Sequence, residues 1–281
     1  MKGRATAPAG GTILNALATG TGAAFAIDIT TTATVELTES GTITGSVEGA
    51  PDADTGLIER CVERVIERFG DAEGATVHTE SEIPMAAGLK SSSAAANATV
   101  LATLSALDVD CPRTTAARIG VQAARDAGVT VTGAFDDASA SMLGGITITD
   151  NTNDELLQHD ERDWDVLVWS PDDRAYSADA DVDRCNAIAP MARLVESLAL
   201  DGAYGQAMTV NGLAFCGALE YPTAPLIDAM NAAVGVSLSG TGPSYIAVGD
   251  RTALTTVRSH WKEYDGRTWM TQTRTTGAQI R

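Results

Sequence analysis

Lysine is almost missing from this chain. It occurs only at Lys2, Lys90 and Lys262, and Lys+Arg number 19 against 37 Asp+Glu, a net charge of −18. A surface of that sign repels phosphate backbones, so no nucleic-acid partner is expected. The 4 cysteines, Cys61, Cys111, Cys185 and Cys216, form no C-x-x-C pair, and His78, His159 and His260 stand apart without H-E-x-x-H spacing. A structural zinc site, a dense disulfide framework and a Ser-His-Asp hydrolase therefore have no support. No long apolar run occurs either: the uncharged stretches 5–27, 91–107 and 229–249 are each broken by Gly, Thr, Ser, Asn or Pro. None reads as a membrane span. Lys2 and Arg4 ahead of an uncharged stretch imitate a secretion signal, but Pro8, Gly10 and Gly11 interrupt it, so a cytoplasmic protein is expected. Also absent are G-x-x-x-x-G-K-[ST] and a G-x-G-x-x-G following a strand, which excludes P-loop kinases and Rossmann dehydrogenases.

What is present is 281 residues, 44% apolar, with 27 glycines and only 5% aromatics. The core must be built from Ala, Val, Leu and Ile at close backbone approach. Residues 25–29, 33–37 and 42–47 are rich in β-branched side chains and read as antiparallel strands. Leu57, Ile58, Cys61, Val62, Val65, Ile66 and Phe69 share one helical stripe that Gly70 ends. A strand at 75–79, a loop, an alanine-rich helix at 91–107, a helix from Pro112 to Ala127 and a strand at 144–149 follow. The polar, acidic stretch 151–163 is the candidate boundary between two halves. Beyond it, strands are expected at 166–169, 236–239 and 245–248, and helices at 187–198, 204–215 and 224–233. The four tryptophans, Trp164, Trp169, Trp261 and Trp269, are expected to anchor packing. The mixture predicts an α+β fold in two domains, 1–150 and 151–281.

The chemistry concentrates in Ile83-Pro84-Met85-Ala86-Ala87-Gly88-Leu89-Lys90-Ser91-Ser92-Ser93-Ala94, a loop entering a helix. Free N–H groups and the positive end of the helix dipole favour phosphate there. Gly88 admits close backbone approach, the serines offer hydroxyls, and Lys90 adds a point charge. A serine-capped packing helix fits the same residues. Further on, Asp136 and Asp137 follow a Gly-containing turn, where a carboxylate can orient a substrate hydroxyl or merely cap a helix. Ser239-Gly240-Thr241-Gly242-Pro243-Ser244 joins two strands and reads as a phosphate-crowding turn or a plain hairpin.

The 84–94 segment resembles the phosphate loop P-x-x-x-G-L-G-S-S-A of the GHMP kinase superfamily. Ala5-Thr6-Ala7-Pro8-Ala9-Gly10 is similar to its N-terminal A-x-A-P-G segment, and 239–244 to its C-terminal glycine motif. The Lys90 variant, with Thr132-Gly133-Ala134-Phe135-Asp136-Asp137-Ala138-Ser139, is most similar to the superfamily's archaeal shikimate kinases. A halophilic archaeon as source would account for the acidic composition. The resemblance implies a GHMP fold with its cleft between the halves, and transfer of the γ-phosphate of MgATP to the 3-hydroxyl of shikimate, a step toward chorismate and the aromatic amino acids. It places Pro84, Ala86, Ala87, Gly88, Leu89, Lys90, Ser91, Ser92, Ser93 and Ala94 around the nucleotide. It gives Pro8, Gly10, Gly240, Thr241 and Gly242 to the acceptor side, and Ser92 and Asp126 to Mg²⁺. Lys90 and a carboxylate are the expected catalytic groups, Asp136 first and Asp137 as the alternative. Other readings are a homoserine or mevalonate kinase, or a non-catalytic nucleotide-binding regulator. The basic residue that many sugar kinases have after the N-terminal glycine is missing, which weakens a galactokinase reading.

Overall fold

A computed structural model describes residues 1–83, 87–172 and 180–281. Its first sheet is built on strand β1 (Lys2–Leu14), antiparallel to the long β2 (Thr21–Thr38). Nearly every residue of β1 is buried, so its Ala, Gly and Pro content fits a strand enclosed on both faces, where alternation of apolar and polar residues is lost. Small residues are needed because helix α2 (Ser91–Ala106) lies directly on it: a Cβ at Gly3 would sit 2.0 Å from the Ala102 carbonyl oxygen. Beyond its first turn α2 is buried almost all round, which explains why the segment carries neither charge nor an amphipathic stripe.

Three sequence expectations change here. The stretches 25–29 and 33–37 are parts of the single strand β2. Strand β3 (Ile43–Val47) pairs parallel, not antiparallel, with β4 (Gly74–Ser81), because helix α1 (Gly56–Phe69) provides the crossover. The 151–163 stretch is no simple boundary: β6 (Glu155–Asp160) pairs with β5 (Ile146–Asp150) and extends the first sheet. At the other end, β11 (Gln279–Ile280) returns to pair with β1, so sheet membership crosses residue 150.

The second sheet has the order β10 (Arg267–Gln272), β7 (Asp165–Ser170), β9 (Tyr245–Gly249), β8 (Gly235–Leu238), all antiparallel. Helices α6 (Ala189–Leu200), α7 (Tyr204–Leu219) and α8 (Ala224–Met230) occupy the expected places, while α5 (Val182–Ala187), α9 (Arg251–Trp261) and β10 were not anticipated. Asp250 caps α9 by accepting from the Ala253 N–H at 2.9 Å. The sheets share one apolar core. Trp164 sits at their seam, edge-on to Phe25 at 6.3 Å and to Tyr204 at 6.5 Å. Among the described residues no helix is long and apolar enough to cross a membrane.

Candidate active site

The site forms where β1, the start of α2 and the β8–β9 turn meet. Gly10 N–H donates to the Leu89 carbonyl (3.2 Å), and Ser239 Oγ donates to the Gly88 carbonyl (2.9 Å). The turn is fixed in turn to β1: Gly240 N–H donates to Thr12 Oγ1 (2.7 Å), and Asn15 Nδ2 donates to the Gly240 carbonyl (2.9 Å). Thus the three motifs, remote in sequence, are bonded to one another. Gly88 has φ +75°, and a Cβ there would lie 2.2 Å from the Ser239 carbonyl oxygen. Gly88→Ala is therefore expected to lower the melting temperature by several degrees and to cost activity even in the folded fraction. Calorimetry with an activity titration checks this.

Lys90 occupies the N-cap position of α2 in the left-handed region (φ 65°, ψ 30°), and no side chain caps the helix. The serine-capped reading is thereby set aside. The N–H groups of the first turn remain available to an anion. Ser91 and Ser93 are half-buried and Ser92 is exposed, and none of their hydroxyls bonds to a described residue. Ala87, Leu89 and Ala94 are buried packing residues, whereas Pro84 and Ala86 lie outside the described residues.

The Lys90 side chain threads between β1 and the turn. Its Cγ is 3.3 Å from where a Cβ on Gly10 would be, and its Nζ 3.5 Å from where one on Gly240 would be. It ends 2.7 Å from Asp137 Oδ1, with Lys90 6% and Asp137 15% exposed. Asp137 lies in the first turn of helix α4 (Phe135–Leu143), whose N-cap residue is Ala134, so neither aspartate has the N-cap role that the sequence left open. Burial, and then the neighbouring Asp136 charge, push the Asp137 carboxyl up to about 7, against the opposing pull of Lys90. Such a group ionises close to neutrality, as a general base must.

Asp136 is 4% exposed; it accepts at Oδ1 from Asn151 Nδ2 (2.7 Å) and its carboxyl also lies against that of Asp137. The geometry brings Asp137, not Asp136, to the ammonium. Asp126, at the end of helix α3 (Arg113–Asp126), accepts from Arg64 Nε (2.7 Å) with Arg64 Nη2 at 2.5 Å and Arg60 at 3.8 Å. It makes no described contact with Ser92. Among the described residues no cluster of three His, Cys, Asp or Glu side chains could hold a metal. Of the residues expected on the acceptor side, Gly10 and Gly240 line the lysine as above, and Thr241 and Gly242 belong to the same turn. The Pro8 carbonyl accepts from Ser141 Oγ at 2.7 Å.

Sequence reading missed Thr12, Asn15, Asn151 and Asn211. Asn211 Oδ1 accepts from Asn15 N–H (2.9 Å) and its Nδ2 donates to Ser237 Oγ (3.0 Å). A lone Asn amid the apolar run of α7 was the available signal, since a buried amide must be bonded.

An open helix start and the buried Lys90–Asp137 pair thus meet where β1, α2 and the β8–β9 turn converge. Residues 56–145 match the family model described as GHMP kinases N terminal domain. The fold resembles a homoserine kinase from Cytophaga hutchinsonii (TM-score 0.77, 17% identity, covering 100% of this chain and 97% of that one). It also resembles the Methanococcus jannaschii mevalonate kinase (TM-score 0.78, 15% identity, 96% and 98% covered). At these identities the likeness concerns the fold alone. Much nearer are the shikimate kinase of Halobacterium salinarum, 62% identical over 283 residues with 99% of each chain covered, and that of Methanosarcina mazei, 51% identical over 282 residues with 99% and 96% covered. This chain belongs to the archaeal shikimate kinase family of the GHMP kinases, enzymes that use ATP.

Proposed function

We propose that the protein transfers the γ-phosphate of ATP to the 3-hydroxyl of shikimate in the cytoplasm. The observation that carries the mechanism is the Lys90–Asp137 pair at the open start of α2. The first-turn N–H groups and Ser91, Ser92 and Ser93 hold the phosphates, and Gly88 keeps the backbone close. Asp137 accepts the proton of the attacking hydroxyl, while Lys90 stabilises the charge that develops on the transferring group. The Gly10, Gly240, Thr241 and Gly242 surface bounds the acceptor. Magnesium bound with the nucleotide supplies neutralisation of phosphate charge. Ser92 fits this ion, being exposed and unbonded to any described residue, whereas the Asp126 carboxylate is already neutralised by arginines.

A net charge of −18 opposes two anionic substrates. One of the three lysines is spent at the point of transfer, and salt screens the remainder over about 10 Å at 0.1 M. The test is ADP formation in high KCl with MgATP and, separately, shikimate, homoserine, mevalonate and galactose. Turnover with another acceptor and none with shikimate rejects the substrate. ATP binding with no ADP from any acceptor rejects the kinase. Ser92→Ala is expected to raise the magnesium concentration needed for half-maximal rate and to lower kcat about tenfold or more, with an unchanged melting curve. Magnesium titrations at saturating ATP measure it.

A further inference from the structure

A side chain outside all three motifs controls the proposed base. Asn151 follows β5 and is 1% exposed. Its Oδ1 accepts from the Asp136 N–H (3.0 Å) and its Nδ2 donates to Asp136 Oδ1 (2.7 Å), a two-point grip on one residue. Asn151 is itself held, accepting from Thr149 Oγ1 (2.7 Å) and donating its own N–H to the Gly20 carbonyl (2.9 Å). The opposite side of the carboxylate is seated on Gly22 of β2, where a Cβ would lie 2.5 Å from Asp136 Oδ2. This tightly placed carboxylate stands one residue before the proposed base and is not the N-cap of its helix.

We infer that Asn151 is a positioning residue for phosphoryl transfer: it fixes Asp136 in place, and through it holds Asp137 in the orientation that takes the acceptor's proton. This rests on Asp137 being the base. The charged groups facing Asp137 are Lys90, from the turn before α2, and Asp136, from its own helix. Arg125 and Arg118, on the neighbouring α3, are directed to Asp154. Arg125 is paired with both of its carboxylate oxygens at 2.7 Å, and Arg118 Nε donates to its carbonyl at 3.0 Å. A like charge held nearby raises a neighbouring acid's proton affinity.

The experiment is a double-mutant cycle of Asp136→Asn and Asn151→Ala, with kcat, KM for both substrates and pH profiles measured alongside melting curves. Asp136→Asn keeps an oxygen for Asn151 Nδ2 but loses the charge. It is expected to move the acid limb of kcat/KM to lower pH by about one unit. Asn151→Ala is expected to lower kcat about tenfold or more with KM for ATP little changed, and to shift the limb in the same direction. In the Asp136→Asn background it is expected to cost less than about threefold, because the group it acts through is already altered. Additive losses, or an unshifted limb in Asp136→Asn, overturn the inference. If Asn151→Ala does not fold, the Asp136→Asn profile decides alone. Asp137→Asn separates this from the parent reading: full activity there removes the base itself, whereas an inactive Asp137→Asn beside an unaltered Asn151→Ala removes only the role of Asn151.

Discussion

Lys90→Gly is expected to melt at or slightly above the parent temperature while turning over at least about a hundredfold more slowly. The two effects separate because they arise from different parts of one residue. The Lys90 backbone has φ 65°, a conformation that costs a non-glycine residue about 1 kcal/mol and glycine almost nothing. The side chain supplies the ammonium 2.7 Å from Asp137. Removing it does not strand a buried anion, because Asp137 then binds its proton more tightly and becomes neutral. Since Lys90 lowers the proton affinity of Asp137, the acid limb of the residual kcat/KM must move to higher pH. Thermal melts, kcat and pH profiles of Lys90→Gly and Lys90→Ala measure all three. A glycine variant with wild-type kcat would remove Lys90 from the mechanism.

Asp137→Asn is expected to lower kcat by about 10² to 10⁴ with the KM for ATP nearly unchanged, the range for loss of a positioned general base. Asp136→Asn should cost far less, since that carboxylate is turned to Asn151. Stability carries a second signature. The proton affinity of Asp137 is raised in the folded state from 3.8 to about 7, so the folded chain holds a proton that the unfolded chain releases. This contribution is fully present below pH 3.8 and is lost as pH rises through 7. The variant lacks that decline, so its stability relative to the parent should be greater at pH 8 than at pH 5. Denaturant titrations at the two values test the sign. An Asp137→Asn enzyme that keeps its kcat would show that positioning and electrostatics alone drive transfer.

The fold was legible wherever local pattern and burial agree. α1 shows a clean stripe because one face packs on helices α2 and α3 and the edge of the sheet, and Gly70 marks its end. β1 was not, because a strand enclosed on both faces by Ala, Gly and Pro has neither alternation nor β-branched enrichment. The parallel pairing of β3 was hidden for another reason: pairing direction is set by the crossover helix, not by residues within the strand. For the site, the phosphate loop could be read because its glycine and serines are contiguous. The choice between Asp136 and Asp137 could not. Adjacent residues in a helix differ by about 100° in direction, and only the packing of α4 shows which one meets Lys90. Asn151 gave no signal, as a single asparagine in a polar stretch is indistinguishable from a turn residue.

β11 has a bearing on how the molecule is made. Ala5 pairs with Ile280, and the Arg281 N–H donates to the Arg4 carbonyl at 2.8 Å. On a ribosome, Arg4, Ala5 and Thr6 emerge long before the segment that pairs with their outer edge. Throughout synthesis the nascent chain therefore carries an unpaired, apolar strand border open to illicit partners. Closure is a late, long-range event, and a cell producing this protein has reason to keep chaperones at hand until residue 280 has left the exit tunnel.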